Sequence, residues 1–232
     1  MIRILLLLSF LATTSHIQAR ESYLEYGDLI TIKANYSGYK KAGDLVGIPP
    51  LLLAAIHYRE ADLHKGFYSK KRKTVTKNIG GPFMLDLGPL DDGTEFIRRI
   101  RSHERVVYCK YFKKCGSKIP RVSHDFSFAI LVAAHHLKLK SKCGFKTEDC
   151  MAYAAWGYNG RASWHVDKNG KKTHKRSSYV WADPKNGVNL QMQYKRRDGT
   201  VKKYTDDRPG VMVIYRELVE LKRTGALRVG VN

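Results

Sequence analysis

Three stretches of this sequence carry side chains suited to acid–base chemistry. The first, "LLAAIHYREADLH" (Leu52 to His64), is opened by Pro49-Pro50 and reaches the carboxyl group of Glu60. Leu52, Leu53, Ile56 and the intervening alanines recur at helical spacing, so one face is expected to be buried. Glu60 stands four residues beyond Ile56, and i,i+4 neighbours share a helix face. If that face looks into a cleft, the carboxyl group sits on a dry wall, and desolvation there favours the protonated acid. The second stretch, some twenty residues on, is the glycine-rich "GGPFMLD" (Gly80 to Asp86), which brings a second carboxylate. The third is "AAWGYNGR" (Ala154 to Arg161), a short apolar helix run into turn residues.

Helices must position these groups. Tyr26 to Val46 reads as a first helix, with Leu29, Ile32, Tyr36 and Tyr39 on one side, and Pro49 to Glu60 as the second. A long lysine-rich polar stretch, Lys65 to Asn78, separates Glu60 from the glycine turn; loops of this length in compact domains are usually functional or disordered. Thr94 to Phe112 is amphipathic. "SHDFSFAILVAAHHLKLK" (Ser123 to Lys140) has Ser123 placed as a cap and is apolar nearly all round, the mark of a central buried helix. His135 and His136 fall within it as core or surface groups, not ligands. Met151 to Trp156 gives a further short helix. The chain from Ser177 to Tyr204 reads as extended, with "RDGT" (Arg197 to Thr200) as a hairpin turn. Pro209 opens a last helix through Val211, Ile214, Leu218 and Leu221, and Gly225 stops it. The expected fold is mainly α: a single helical domain around a buried central helix, with a small β-hairpin near the C-terminus.

Composition sets the compartment and the partners. "MIRILLLLSFLATTSHIQA" has one charge, Arg3, and an apolar run too short to span a bilayer, so residues 1–19 are expected to be a signal peptide and 20–232 the exported domain. No later segment has the length and apolarity of a membrane span. Lysine and arginine number 42 against 21 acidic residues, a net charge of +21. The excess is spread over Ser69 to Lys73, Lys171 to Arg176 and Tyr194 to Lys203. Outside a cell this balance favours encounter with cell-wall polymers, lipopolysaccharide and acidic membrane lipids. A nucleic-acid partner is not expected, because no aromatic platform or nucleic-acid motif accompanies the charge. Four cysteines fall as two close pairs, Cys109/Cys115 and Cys143/Cys150. An exported chain permits disulfides; three connectivities exist, and the one made of the two local pairings is expected. Neither pair has metal-ligand spacing, and no metal or cofactor is expected.

The order of glutamate, glycine turn, central helix and tyrosine turn resembles that of the goose-type lysozymes and the related lytic transglycosylases, over roughly Gly43 to Arg161. In that resemblance Glu60 is the catalytic glutamate, Gly81-Pro82-Phe83-Met84 stands at the "G-L-M-Q" turn, and Tyr158-Asn159-Gly160 at the "Y-N-A-G" turn. A looser likeness runs through "SSYVW" (Ser177 to Trp181) and the last helix. Two positions depart from the pattern: the family's "E-S" is Glu60-Ala61, and Met84 replaces the glutamine of the turn. Asp86 matches the aspartate that follows the turn in goose-type lysozymes, whereas their further aspartate has no counterpart between Phe67 and Asn78.

The resemblance implies a lysozyme-like fold and cleavage of the β-1,4 link of peptidoglycan between N-acetylmuramic acid and N-acetylglucosamine, or a deacetylated form of it, by a monomer in the periplasm or outside a bacterial cell. Glu60 would be the general acid, kept protonated by apolar walls. Asp86 would handle water on the far face of the sugar. Tyr158 would steady the oxocarbenium charge or hold Glu60. Gly81, Phe83, Met84, Asn159, Tyr179 and Trp181 are the expected substrate-binding residues, with the rings of Phe83, Tyr179 and Trp181 either lining the sugar cleft or lying in the core. If Asp86 points elsewhere, Glu60 alone would act as acid and then as base on the muramic-acid 6-hydroxyl, closing a 1,6-anhydro ring as lytic transglycosylases do. A catalytically inactive cationic wall-binding module is the remaining alternative.

Overall fold

The computed structural model describes residues 21–63, 83, 93–113, 115–116, 118–122, 125–159, 168–171, 173–195 and 199–229. Among them the chain forms α1 (Tyr26–Val46), α2 (Pro50–Ala61), α3 (Gly93–Phe112), α4 (Phe126–Lys140), α5 (Glu148–Tyr158), the single turn α6 (Ser178–Trp181), strands β1 (Gln191–Lys195) and β2 (Val201–Thr205), and α7 (Val211–Arg223). The protein is mainly helical, as the periodicity predicts.

Helix α4 is the centre. Ten consecutive residues, Phe128 to Leu137, are buried, because α1, α3 and α5 surround them and α2 touches them. A helix apolar nearly all round its middle has no wet face there to offer, so it is stable only when enclosed. Its cap is the side chain of Asp125, which accepts the Phe128 N–H at 2.9 Å; Ser123, the cap expected from sequence, lies outside the described residues. Helix α5 begins three residues before the expected Met151, where the Thr147 side chain accepts the Cys150 N–H at 3.3 Å. Glu148 and Asp149 in its first turn oppose the positive end of the helix dipole. Both disulfides take the local pairing, Cys109–Cys115 and Cys143–Cys150.

Helix α2 packs against α7 and α1. At the α1–α2 corner a Cβ on Gly43 would stand 2.5 Å from the Ile48 carbonyl oxygen, so only glycine lets the chain turn this tightly. The expectation of extended chain from Ser177 to Tyr204 is corrected. Residues 178–181 form the α6 turn, Pro184–Asn186 a 3-10 turn spanned by the antiparallel bridge Asp183–Val188, and Gln191–Lys195 and Val201–Thr205 pair as antiparallel strands, with Tyr194 opposite Lys202. Ser177, Ser178, Tyr179 and Val180 are buried, and Tyr179 and Val180 join the core. A polar-looking run therefore curls against the core rather than crossing a sheet. No helix among the described residues is long and apolar enough to cross a membrane.

Candidate active site

Glu60 sits half-buried in the last turn of α2. The helix is broken immediately after it. Asp62 (φ 48°) and Leu63 (φ 59°) are consecutive left-handed residues, and Leu63 is buried at that conformation. For a branched apolar side chain this region is strained, and such strain persists only where the surrounding packing holds it. The consequence is a glutamate displayed at an abrupt helix end over the core, not a frayed one in solvent.

The hydroxyl of Tyr179, from α6, donates to Glu60 Oε1 at 2.6 Å. Tyr179 is buried, and its phenol is pushed well above the ordinary tyrosine range by burial first and then by the Glu60 charge. It therefore remains a donor throughout the physiological range. Arg59 covers one face of the ring, its guanidinium carbon 5.4 Å from the ring centre. That face is closed to a sugar, so Tyr179 meets the site through its hydroxyl.

Tyr158, at the end of α5, is also buried, and its phenol is raised by burial and then by the charge of Glu60. Its hydroxyl donates to the Phe83 carbonyl at 2.8 Å. A phenol has one proton to donate, so the hydroxyl that holds Glu60 is that of Tyr179, and Tyr158 instead holds the Phe83 carbonyl. Phe83 is wholly buried, stacked on His57 at 4.8 Å and near Phe126 at 6.3 Å. Its ring is core, and what it lends the site is its carbonyl. His57 in turn is bonded through Nδ1 to the Tyr39 hydroxyl at 2.7 Å. One continuous set of ring contacts thus runs from Tyr39 of α1 through His57 of α2 to Phe83.

Trp181 is partly buried, with the Arg216 guanidinium 4.9 Å from its ring centre; Arg216 is itself paired with Glu148. Asn159 is exposed and ends α5, its N–H bonded to the Ala155 carbonyl. Gly81, Met84 and Asp86 lie outside the described residues. The structure therefore brings together Glu60, Phe83, Tyr158 and Tyr179 from four separate stretches of chain.

Sequence reasoning missed the ion pair beside Glu60. Arg59 and Asp206 are both almost fully buried and paired with each other, and Arg59 Nη1 also donates to the Pro209 carbonyl at 3.1 Å. An arginine next to a helix-ending glutamate was the available signal, but nothing marked Asp206 as its partner. A second missed feature is Gly210. A Cβ there would stand 2.4 Å from both the carbonyl carbon and oxygen of Val180, and the Gly210 N–H donates to Ala182 at 2.7 Å. The start of α7 thereby lies directly on the turn that carries Tyr179.

A cleft of about 680 Å³ lies between the α1–α2 corner and the Cys143 loop and includes none of these residues. A second, about 530 Å³, is lined by Tyr58, Arg59, Asp62 and Arg208 and flanks the end of α2. Among the described residues no cluster suited to a metal ion is present. Comparison of the chain with protein-family models, with curated proteins and with solved structures gives no match.

Proposed function

We propose that the protein cleaves the β-1,4 glycosidic bond of peptidoglycan with Glu60 as the general acid. The observation that carries this reading is the 2.6 Å hydrogen bond from a buried phenol to a half-buried carboxyl group at an abrupt helix end. Tyr179 makes Oε1 an acceptor, which directs the acid's proton to the other carboxyl oxygen. When that proton passes to the leaving glycosidic oxygen, the new carboxylate meets a donor already in place, and a hydrogen bond to a charged acceptor is about twice as strong as a neutral one. Tyr158 fixes the carbonyl of Phe83, a residue of the turn on which the resemblance places the substrate.

The second step divides the reading. Asp86, as water-handling group, makes the protein a hydrolase, a lysozyme. Glu60 acting next as base on the muramic-acid 6-hydroxyl makes it a lytic transglycosylase. The retained Asp86 favours the hydrolase. The net charge of +21 fits an enzyme drawn to an anionic envelope, and two disulfides fit export.

Cleavage of short uncharged glycan fragments across a salt series tests the assignment. Salt screens long-range attraction to a charged wall but leaves cleft chemistry in place. Fragment cleavage that persists in high salt, with ordinary reducing ends, is expected. Anhydro ends would move the assignment to a transglycosylase, and wall binding without cleavage of any glycan would reduce the protein to a cationic binding module.

A further inference from the structure

The Arg59–Asp206 pair is costly where it stands. Two buried charges seldom stabilise a fold more than apolar side chains of the same volume would. Its geometry relative to Glu60 suggests what it supplies. Arg59 adjoins Glu60 in α2, and its guanidinium lies 5.4 Å from the centre of the Tyr179 ring whose hydroxyl is on Glu60. Its Nε has no hydrogen-bond partner among the described residues. Asp206 is held from behind: its N–H donates to the Leu190 carbonyl at 3.2 Å, and its second oxygen accepts the Arg208 N–H at 3.3 Å. The carboxylate is thus fixed by the base of the hairpin, independently of Arg59.

A lone cation in this position would oppose the chemistry. An unbalanced buried cation near a carboxyl group favours its ionised form, by roughly 1–3 pH units for a close pair. A general acid that must keep its proton is weakened by such a neighbour. We propose that Asp206 is a charge-balancing positioning residue: it neutralises Arg59, so that the guanidinium clamps Tyr179 against Glu60 without drawing off the proton of the acid. The proposal rests on Glu60 being the general acid.

The charged and titratable groups around Glu60 among the described residues are consistent with this division. Arg59 comes from α2, Tyr158 from α5 and Tyr179 from α6, while Asp206 and Arg208 come from the segment between β2 and α7. Both tyrosines stay neutral, being raised by burial and then by Glu60; Arg59 acts in the opposite sense on Tyr179, so the two charges meet on one phenol. Arg208 donates to the Arg59 carbonyl at 3.3 Å, but its side chain is 54 % exposed, and water screens its charge. Asp206 is the buried anion that answers Arg59.

The test is a carboxyl-carbon NMR titration of Glu60 in the full chain, assigned with Glu60→Gln, for the native protein and Asp206→Asn. It needs no substrate. The Glu60 midpoint is expected to fall by about one pH unit or more in Asp206→Asn, and the alkaline limb of kcat/KM on peptidoglycan is expected to fall with it. An unchanged midpoint in folded Asp206→Asn overturns the proposal. If that variant does not fold, Arg59→Met/Asp206→Asn, which removes both charges, answers instead. A midpoint within about 0.3 units of the native one supports charge balance, and a displacement of a unit or more overturns it. A midpoint that moves as expected in a protein that cleaves no glycan would leave the charge balance standing and remove the enzyme. Cleavage with an immobile midpoint would do the reverse.

Discussion

Tyr179 and Glu60 stand 119 residues apart in the chain and 2.6 Å apart in space. Everything else at the site serves that approach. The left-handed break after α2 displays the carboxyl group, the Arg59 guanidinium covers the phenol ring, and Gly210 lets α7 press on the turn beneath it.

Tyr179→Phe removes the donor and keeps the ring. The expected result is a folded protein whose glycan cleavage falls by about two orders of magnitude, in the range of a lost acid–base partner. Thermal unfolding of the variant beside its rate of peptidoglycan clearance checks this. A variant as active as the native protein would remove the phenol from the mechanism.

Gly210→Ala places a methyl group where backbone atoms of Val180 lie 2.4 Å away. Overpacking of this kind costs about 1–3 kcal/mol. Because the strained contact is on the turn that carries Tyr179, activity should fall further than stability, even at temperatures where the variant is fully folded. Denaturant melts and clearance rates measured on the same preparation separate the two effects.

Three histidines make the fold acid-sensitive. His103, His135 and His136 cluster, with His103 5.6 Å from each of the others, and His136 meets Tyr158 edge-on at 5.2 Å. Burial, and then nearby lysines, hold all three below the ordinary value of 6.5, to about 4 for His135 and about 3 for His136. Below pH 6.5 the unfolded chain takes up protons that the folded chain refuses, so stability falls as pH falls.

Glu104 works the other way. Burial raises it to about 7, opposed by the Val122 N–H that it accepts at 2.9 Å. Its contribution is full below pH 4.5 and is lost as pH rises through about 7. Between pH 6.5 and 4.5 three histidines oppose one carboxyl group, and the urea midpoint should fall with acid. Glu104→Gln should steepen that fall. A midpoint constant across this window would contradict the assignment.

Cys143–Cys150 closes a short loop into the first turn of α5, the helix that carries Tyr158. Loop-closure entropy for a separation of seven residues gives about 2.5 kcal/mol. Cys143→Ser/Cys150→Ser should lose about that much stability in urea melts, and reductant should have little further effect on this loop.

The helices were legible because each announces itself locally. Pro49-Pro50 opens α2, the apolar run from Phe128 to Ala134 marks the buried centre, and Gly225 in the left-handed region ends α7. The place of Glu60, at the end of an apolar helix, was legible for the same reason. The turn at 178–181 was not, because a four-residue helix has no period to read and is fixed by contact with α7. Which tyrosine hydroxyl reaches Glu60 was not legible for a related reason. Tyr158 lies in a recognisable turn motif, whereas the bond between Tyr179 and Glu60 depends on tertiary packing that spacing does not encode. Asp206 was invisible because its partner is 147 residues away.

The most direct test of the central claim is digestion of purified peptidoglycan, acetylated and deacetylated, by the native protein and by Glu60→Gln, with mass spectrometry of the products. Soluble muropeptides from the native protein and none from Glu60→Gln are predicted, with ordinary reducing ends if Asp86 handles water. No product from any glycan, or equal digestion by Glu60→Gln, would contradict the account.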